Sequence, residues 1–185
     1  KVEDVPPAIT GSADDRCLER EVKTYKSGFV KKYKFSIDFD DGFDLDEAGN
    51  GDLNVLMVDS VVTGNLDEGS DLDEEGKGNL HATYIRTEAS RNTDDGFKMS
   101  EEDEGSVSGE LIDSQAFENG GKGIVYEEAD QGDLSVTLQN VKTDKNDDGK
   151  ETGLELIQED EGTGHVKILS SDIKEGMTFE GVSAK

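Results

Sequence analysis

The chain has 185 residues, of which 31% are apolar and 35% are charged, and its formal charge is −26, from 45 acidic and 19 basic residues. A surface this negative repels nucleic acids and anionic membranes, so nucleic-acid binding is not expected. Membrane insertion is not expected either, because no apolar run reaches the roughly 20 residues of a membrane-spanning helix. The single cysteine, Cys17, excludes an intramolecular disulfide.

The beginning of the chain differs in charge from the rest. Residues 1–34 hold eight bases and six acids, a sum of +2, which leaves −28 for residues 35–185. This asymmetry predicts that the basic segment docks on an acidic surface of the same or another molecule. Pro6 and Pro7 predict an extended N-terminal arm over residues 1–11.

One short helix is predicted near residues 13–26. Ser12 and Asp15 resemble a capping box, and Leu18, Val22 and Tyr25 follow at helical spacing. Gly28 would end this helix.

From there the apolar period changes to two. Tyr33, Phe35, Ile37 and Phe39 alternate with polar residues, as in a half-buried strand. Further strands are predicted over residues 53–62, 80–86, 106–112, 123–128, 134–141, 153–158, 165–169 and 177–182. Gly with Asp, Asn or Glu fills most gaps between them, which is turn chemistry. These nine short strands predict a mainly β protein, an antiparallel β-sandwich of jelly-roll or immunoglobulin-like type, forming a single domain over residues 12–185.

An internal repeat relates residues 44–55 to residues 71–82. The two segments share seven of twelve positions at an offset of 27. Each is acidic, contains glycine and leads into an apolar run, so we interpret them as two similar hairpin loops at one end of the sandwich. A further acidic stretch, Asp94-Asp95-Gly96 followed by residues 101–103, is interpreted as a charged loop.

Residues 144–155 carry the sharpest motif. They satisfy the spacing D-x-[DN]-x-[DN]-G-x₅-E and resemble the calcium loop of EF-hand proteins. The resemblance implies calcium ligands at Asp144, Asn146, Asp148, the carbonyl of Lys150, Thr152 and Glu155. It covers only 12 residues, Glu151 replaces the usual aliphatic residue, and strands are predicted on both sides, so the helix–loop–helix fold is not implied.

The two repeated segments are weaker calcium candidates. The candidate ligands are Asp44, Asp46 and Asp52 in the first segment and Asp71, Asp73 and Glu75 in the second, which place carboxylates at spacing two around a glycine. Neither segment has an acid at its twelfth position, so solvated turns are an equal alternative.

Catalysis is not indicated. His81 and His165 each lie in a predicted strand without a zinc-type ligand pattern, and no nucleophile elbow or phosphate-binding loop is present. We therefore expect a protein that is not an enzyme.

These features predict an extracellular or cell-surface, calcium-binding structural or adhesive protein, forming an oligomer or filament through its N-terminal arm. One alternative is a β-barrel for a small apolar ligand, with a cavity lined by Tyr33, Phe35 and Phe39. The other is a non-catalytic carbohydrate-binding module, although the absence of Trp disfavours proteins that stack on sugars.

Overall fold

The structure, a computed structural model, describes residues 18–24, 30–37, 41–149 and 152–185, and the chain divides into two compact units between Phe39 and Asp40. In the first unit, β1 (Leu18–Thr24) and β2 (Val30–Ile37) form an antiparallel hairpin in which Leu18 pairs with Ile37. The helix predicted near residues 13–26 is therefore wrong over Leu18–Thr24, since a spacing of four fits both a helical turn and a strand. The other residues of that helix, and the arm over residues 1–11, lie outside the described residues.

The second unit is a β-solenoid of three sheets, and every pairing within each sheet is parallel. Sheet 1 contains β4 (Leu53–Val58), β7 (Leu80–Ile85), β10 (Val107–Ile112), β13 (Leu134–Gln139), β16 (Gly164–Leu169) and β19 (Val182–Ala184). Sheet 2 contains β5 (Val61–Thr63), β8 (Glu88–Ser90), β11 (Gln115–Phe117), β14 (Lys142–Asp144) and β17 (Asp172–Ile173). Sheet 3 contains β3 (Phe43–Gly49), β6 (Ser70–Gly76), β9 (Phe97–Asp103), β12 (Ile124–Asp130), β15 (Leu154–Gln158) and β18 (Met177–Glu180).

The predicted antiparallel sandwich is thus wrong, although all nine predicted strands coincide with observed ones. Alternation of apolar and polar residues reports a buried face but not the direction of the neighbouring strand. The barrel alternative fails with the sandwich, because these sheets are parallel and Tyr33 and Phe35 lie in the separate hairpin; Phe39 is outside the described residues.

The internal repeat is the period of the solenoid. Leu53 pairs with Leu80, Leu80 with Val107, and Val107 with Leu134, each step being 27 residues. The segments interpreted as two hairpin loops are therefore equivalent parts of successive coils. One step is longer, because Ile124 pairs with Leu154, and the three extra residues lie between β14 and β15.

Left-handed backbone turns the chain at the corner between sheets 1 and 2. One residue per coil has φ between 50° and 55° at this corner: Asp59, Arg86, Asp113, Asn140 and Ser170. Such residues are uncommon outside glycine, so their recurrence in register marks a built corner. The first two also form an ion pair, with Arg86 Nη2 donating to Asp59 Oδ2 at 2.8 Å.

The core lies between the three sheets. Leu72, Met99, Tyr126 and Leu156 are fully buried and follow one another in register on sheet 3. Opposite, a Cβ on Gly109 would lie 2.3 Å from the Tyr126 ring, so the absence of a side chain there admits the tyrosine. Interdigitation of this kind fixes how sheet 1 packs on sheet 3.

A ladder of asparagines crosses the corner between sheets 2 and 3. Asn65, Asn92, Asn119 and Asn146 occupy the same position in four coils, and each side-chain Nδ2 donates to Oδ1 of the next at 2.8–2.9 Å. The same Oδ1 atoms accept hydrogen bonds from the backbone N–H of the preceding asparagine at 3.1–3.3 Å. The ladder thereby satisfies buried polar groups that the turn leaves without strand partners.

Candidate cation-binding site

Sheet 3 brings together the predicted ligands of the two repeated segments. Asp44 pairs with Asp71, and Asp46 with Asp73, on the neighbouring strands β3 and β6. These residues thus belong to strands rather than loops, and pairing places their carboxylates side by side, since adjacent strands are about 4.8 Å apart. The acidic stretch after Gly96 is likewise strand β9 and not a loop.

A group of converging carboxylates lies at the start of these strands. Asp41, Glu68 and Asp71 each offer an oxygen within 4.8 Å of the other two. Asp41 and Glu68 hold the same position in successive coils, just before β3 and β6, and Asp41 Oδ1 accepts a hydrogen bond from the Glu68 backbone N–H at 2.7 Å. The solenoid period therefore builds this group.

Glu68 also belongs to a second group. One oxygen from each of Asp67, Glu68 and Asp94 lies within 4.8 Å of the other two. We call the five residues Asp41, Asp67, Glu68, Asp71 and Asp94 the corner cluster. Five carboxylates gathered at one corner repel one another unless protons or cations intervene.

Burial intensifies this repulsion. The Glu68 side chain is buried, and its pKa rises to about 8 because of that burial, its hydrogen bond with Asp41 and the charge of Asp71. Burial also raises the pKa of Asp41. Asp73, on the strand that carries Asp71, has a pKa raised to about 6, first by burial and then by the Asp71 charge. A metal ion that binds Glu68 would replace the proton that its raised pKa favours.

One protein cation already lies in the cluster. Lys98 Nζ is 2.9 Å from Asp71 Oδ2 and 3.4 Å from Glu68 Oε1. Burial by itself lowers the pKa of Lys98, but the hydrogen bond to Asp71 and the surrounding carboxylates outweigh it and raise the pKa. The other Asp71 oxygen, Oδ1, is buried and has no hydrogen-bond partner. Lys98 thus leaves part of the negative charge unmatched.

A polar groove of about 520 Å³ adjoins the cluster. Its lining residues are Glu68, Asp94, Asp95, Lys98, Gly120, Gly121, Lys122 and Asp147. Such a groove admits water, and calcium commonly completes its shell of six to eight oxygens with water.

The loop over residues 144–155 has a different arrangement from an EF-hand loop. Asn146 is fully buried in the asparagine ladder, where its Oδ1 accepts from Asn119 Nδ2 at 2.9 Å and from the Asn119 N–H at 3.3 Å. Both lone pairs of Oδ1 are thereby used. Glu155 Oε2 is paired with Lys122 Nζ.

The other predicted ligands of this loop lie around the three-residue insertion. Asp144 ends β14 and is exposed, and Thr152 Oγ1 is 3.2 Å from Thr178 Oγ1. Asp148 lies in a 3-10 turn, Asn146–Gly149, and Lys150 is outside the described residues. Calcium binding by this loop stays a prediction; among the described residues, the groups of carboxylates that could hold a metal ion lie in the corner cluster.

The sequence analysis missed Asp41, Glu68 and Lys98. The signal that could have found them is the offset of 27, which separates Asp41 from Glu68 and Asp71 from Lys98. Extending the repeat upstream and downstream would have aligned all four positions.

The two histidines lie on the outer surface of sheet 1. His81 Nδ1 contacts Ser108 Oγ, and His165 Nδ1 is 2.9 Å from Ser183 Oγ. Each contact joins adjacent strands of this sheet. The expectation that the chain is not an enzyme stays a prediction.

In the part of the chain that the structure describes, no helix is long and apolar enough to cross a membrane. A scan against protein-family models finds no matching family, and comparisons with curated proteins and with solved structures find no match either.

Proposed function

We propose that this chain is a calcium-binding structural or adhesive module of the cell exterior, with its cation site at the corner cluster. The observation that carries the proposal is Asp71 Oδ1, which is buried without a hydrogen-bond partner beside the carboxylates of Asp41 and Glu68. An unpaired buried carboxylate oxygen is costly, and a divalent cation would compensate it.

The ligand chemistry favours calcium. The groups near the site offer carboxylate oxygens and no histidine or cysteine, as a hard cation requires. Calcium tolerates irregular geometry and six to eight oxygens, whereas magnesium demands a near-ideal octahedron. Weak sites of this kind are occupied at the millimolar calcium concentrations of extracellular modules, which supports the proposed location.

Calcium should stabilise the folded chain. At a calcium concentration about 100-fold above the dissociation constant, we expect the melting temperature to rise by roughly 5–10 °C relative to chelator. The double variant Asp41→Asn/Asp71→Asn should lose most of this rise, because it removes two of the three converging carboxylates. Scanning calorimetry with calcium, magnesium and chelator measures the effect.

A charge-matched control separates site binding from general screening. Glu110 and Glu159 are exposed and lie outside the corner cluster, so Glu110→Gln/Glu159→Gln removes the same two charges. This control should keep the response of the parent. If calcium raises the melting temperature of Asp41→Asn/Asp71→Asn as much as that of the control, calcium binds elsewhere. The loop over residues 144–155 would then be the next candidate.

The structural part of the proposal concerns assembly. Within the unit that begins at Asp40, β3, β4 and β5 have no outer neighbour in their sheets, and first-coil side chains such as Leu56 and Val61 are more than 60% exposed. Unpaired edges and exposed apolar side chains favour association with a second copy.

Deleting residues 1–11 tests the predicted role of the arm. If the arm joins subunits by docking its basic segment on acidic surface, light scattering in calcium should report oligomers for the full chain and monomers for the truncated chain. High salt should weaken the full-length oligomer as well, because it screens exposed charges. A full-length protein that stays monomeric at high concentration in calcium would contradict the assembly proposal while leaving the cation site intact.

A further inference from the structure

A column of glutamates runs along the interior of sheet 3. Glu47, Glu74, Glu101 and Glu128 pair in register on β3, β6, β9 and β12, and Gln158 continues the column on β15. The three central glutamates have no exposed surface, and they alternate along their strands with polar residues of the outer face. Their side chains therefore lie on the core side of the sheet.

The solenoid repeat builds this column. Each member is followed four residues later by a glycine at the corner where the chain leaves sheet 3: Gly51, Gly78, Gly105, Gly132 and Gly162. The Glu74 Oε1 atom accepts a hydrogen bond from the Gly78 N–H at 3.2 Å. A Cβ on Gly105 would lie 2.3 Å from Glu101 Oε1, so glycine makes room for the carboxyl group. The carboxyl groups are thus enclosed by the corner and not turned to solvent.

Several oxygens in the column have no hydrogen-bond partner within the described structure. They are Glu74 Oε2, both carboxyl oxygens of Glu101, and Glu128 Oε1. Three ionised carboxylates in adjacent buried positions would combine desolvation with mutual repulsion, so they cannot all carry charge. Protons shared between neighbours remove both costs, because a protonated carboxyl group donates one hydrogen bond to the next carboxylate.

Gln158 shows how a neutral member fits the column. It takes the glutamate position in its coil, and its Nε2 donates a hydrogen bond to Glu128 Oε2. A neutral donor is therefore accommodated against Glu128 without rearrangement of the corner. A protonated Glu101 would present the same kind of donor to Glu74 or Glu128 from the other side.

We propose that the interior glutamate column is a proton-binding site, in which the Glu101 carboxyl group is protonated and donates to a neighbouring glutamate, and whose loss of protons weakens the solenoid. This site is separate from the corner cluster and does not depend on calcium binding there. The charged groups that act on it are acidic: Glu47, Glu74, Glu101, Asp103, Glu128, Asp130, Asp133 and Asp160. Neutral groups donate hydrogen bonds to it, among them Gln158 to Glu128 and the Gly78 N–H to Glu74.

The raised pKa values of the column glutamates support a proton on Glu101. The pKa of Glu101 rises to about 8, chiefly through burial and then through the charges of Glu128 and Glu74. Burial raises the pKa of Glu128 to about 7, helped by Asp130, Asp133 and Asp160. The pKa of Glu74 is also raised, first by burial.

The sign of the pH effect follows from linkage. In the unfolded chain Glu101 and Glu128 release their protons near pH 4.3, whereas the folded chain keeps them up to about pH 7–8. Between these limits the folded state binds more protons, so its stability falls as pH rises from about 4.5 to 8. A buried acid that forms an ion pair has a lowered pKa in the folded state, so it makes stability rise with pH instead.

Carbon-13 NMR of the side-chain carboxyl carbons measures the protonation directly. Glu68 of the corner cluster, whose pKa also rises to about 8, should titrate above pH 6.5 in every protein compared. In the unmodified protein, at least one further glutamate should titrate above pH 6.5, and this further titration should vanish in Glu101→Gln/Glu128→Gln while it persists in the exposed control Glu110→Gln/Glu159→Gln. If every glutamate carboxyl carbon other than that of Glu68 titrates below pH 5.5, the column is ionised at neutral pH and the proposal is wrong. This second outcome is read from the unmodified protein and needs no variant to fold.

Melting temperature against pH gives the second readout. The parent and the exposed control should lose roughly 5–10 °C between pH 5.5 and 8.5, whereas Glu101→Gln/Glu128→Gln should lose less than half of that, since glutamine cannot ionise. Equal losses in all three proteins would overturn the proposal. So would a calcium-dependent rise at pH 8.5 that survives Asp41→Asn/Asp71→Asn and disappears with Glu101→Gln/Glu128→Gln, because the column would then bind metal instead of protons.

Discussion

Replacing Asn119 with alanine is expected to lower the free energy of unfolding by about 3–5 kcal/mol, from several buried groups that each cost about 1–3 kcal/mol when left without a partner. Asn119 Oδ1 accepts from both the N–H and Nδ2 of Asn92, and Asn119 Nδ2 donates to Asn146 Oδ1 and to the Ala89 carbonyl. Asn92, Asn119 and Asn146 are all buried, so water cannot replace the lost amide. Because the ladder joins four coils, one substitution disrupts it on both sides.

Urea unfolding followed by circular dichroism measures this loss, with Asn54→Ala as the control. Asn54 is exposed on the outer surface of sheet 1, where its Nδ2 donates to the nearby Asp52 carbonyl. Its replacement should cost less than about 0.5 kcal/mol. Asn65→Ala, at the open end of the ladder, should fall between the two. If Asn119→Ala unfolds at the same urea concentration as Asn54→Ala, the ladder contributes nothing to stability.

The strands of sheet 1 could be predicted from the sequence because their inner positions are apolar. Leu134, Val136 and Leu138 alternate with polar residues and are all buried. The early strands of sheet 3 were missed because their inner positions include Glu74 and Glu101 and their outer positions are polar or charged as well. An acidic residue on both faces removes the contrast from which a strand is recognised.

The direction of pairing could not be predicted from the same pattern. Asparagine, aspartate and glycine favour the left-handed backbone of a hairpin turn, and they favour a solenoid corner for the same steric reason. The deciding signal was the offset of 27, which the sequence shows clearly in only two copies. The next two coils keep the spacing but change the residues: Glu101 and Glu128 repeat Glu74, whereas the outer Asp71 is replaced by Lys98 and then by Val125.

The resemblance of residues 144–155 to an EF-hand loop has the same origin. Asn146, one of the ligand positions of the motif, is the fourth member of the asparagine ladder. The glycine of the motif, Gly149, lies at the same corner, in the 3-10 turn Asn146–Gly149. A solenoid corner and a calcium loop both need short polar side chains at alternate positions and a glycine at the bend. The spacing alone therefore could not separate the two.

Lys98 is the residue whose replacement should strengthen calcium binding most. Its ammonium group is a tethered cation that a metal ion at Asp71 and Glu68 must displace or tolerate. We expect Lys98→Met to tighten calcium binding by roughly 10–100-fold, equal to about 1.4–2.8 kcal/mol. Two unit charges 4 Å apart near a protein surface interact by about 4 kcal/mol. The expected change in binding free energy is smaller, because the partly exposed lysine is screened by water. Methionine keeps an apolar stem of similar length, so packing around the cluster is retained.

Isothermal titration calorimetry of Lys98→Met against Lys77→Met tests this expectation. Lys77 forms an exposed ion pair with Glu104 at 2.6 Å, so its replacement removes the same charge away from the corner cluster and should leave affinity within about twofold of the parent. Without calcium, Lys98→Met should melt at a lower temperature than the parent, because Asp71 and Glu68 lose their cation. Saturating calcium should remove this difference in melting temperature. Equal affinities in the two variants would mean that the ion does not share carboxylates with Lys98. A metal site at Asp41, Glu68 and Asp71 requires that competition, since Lys98 holds two of its three acids.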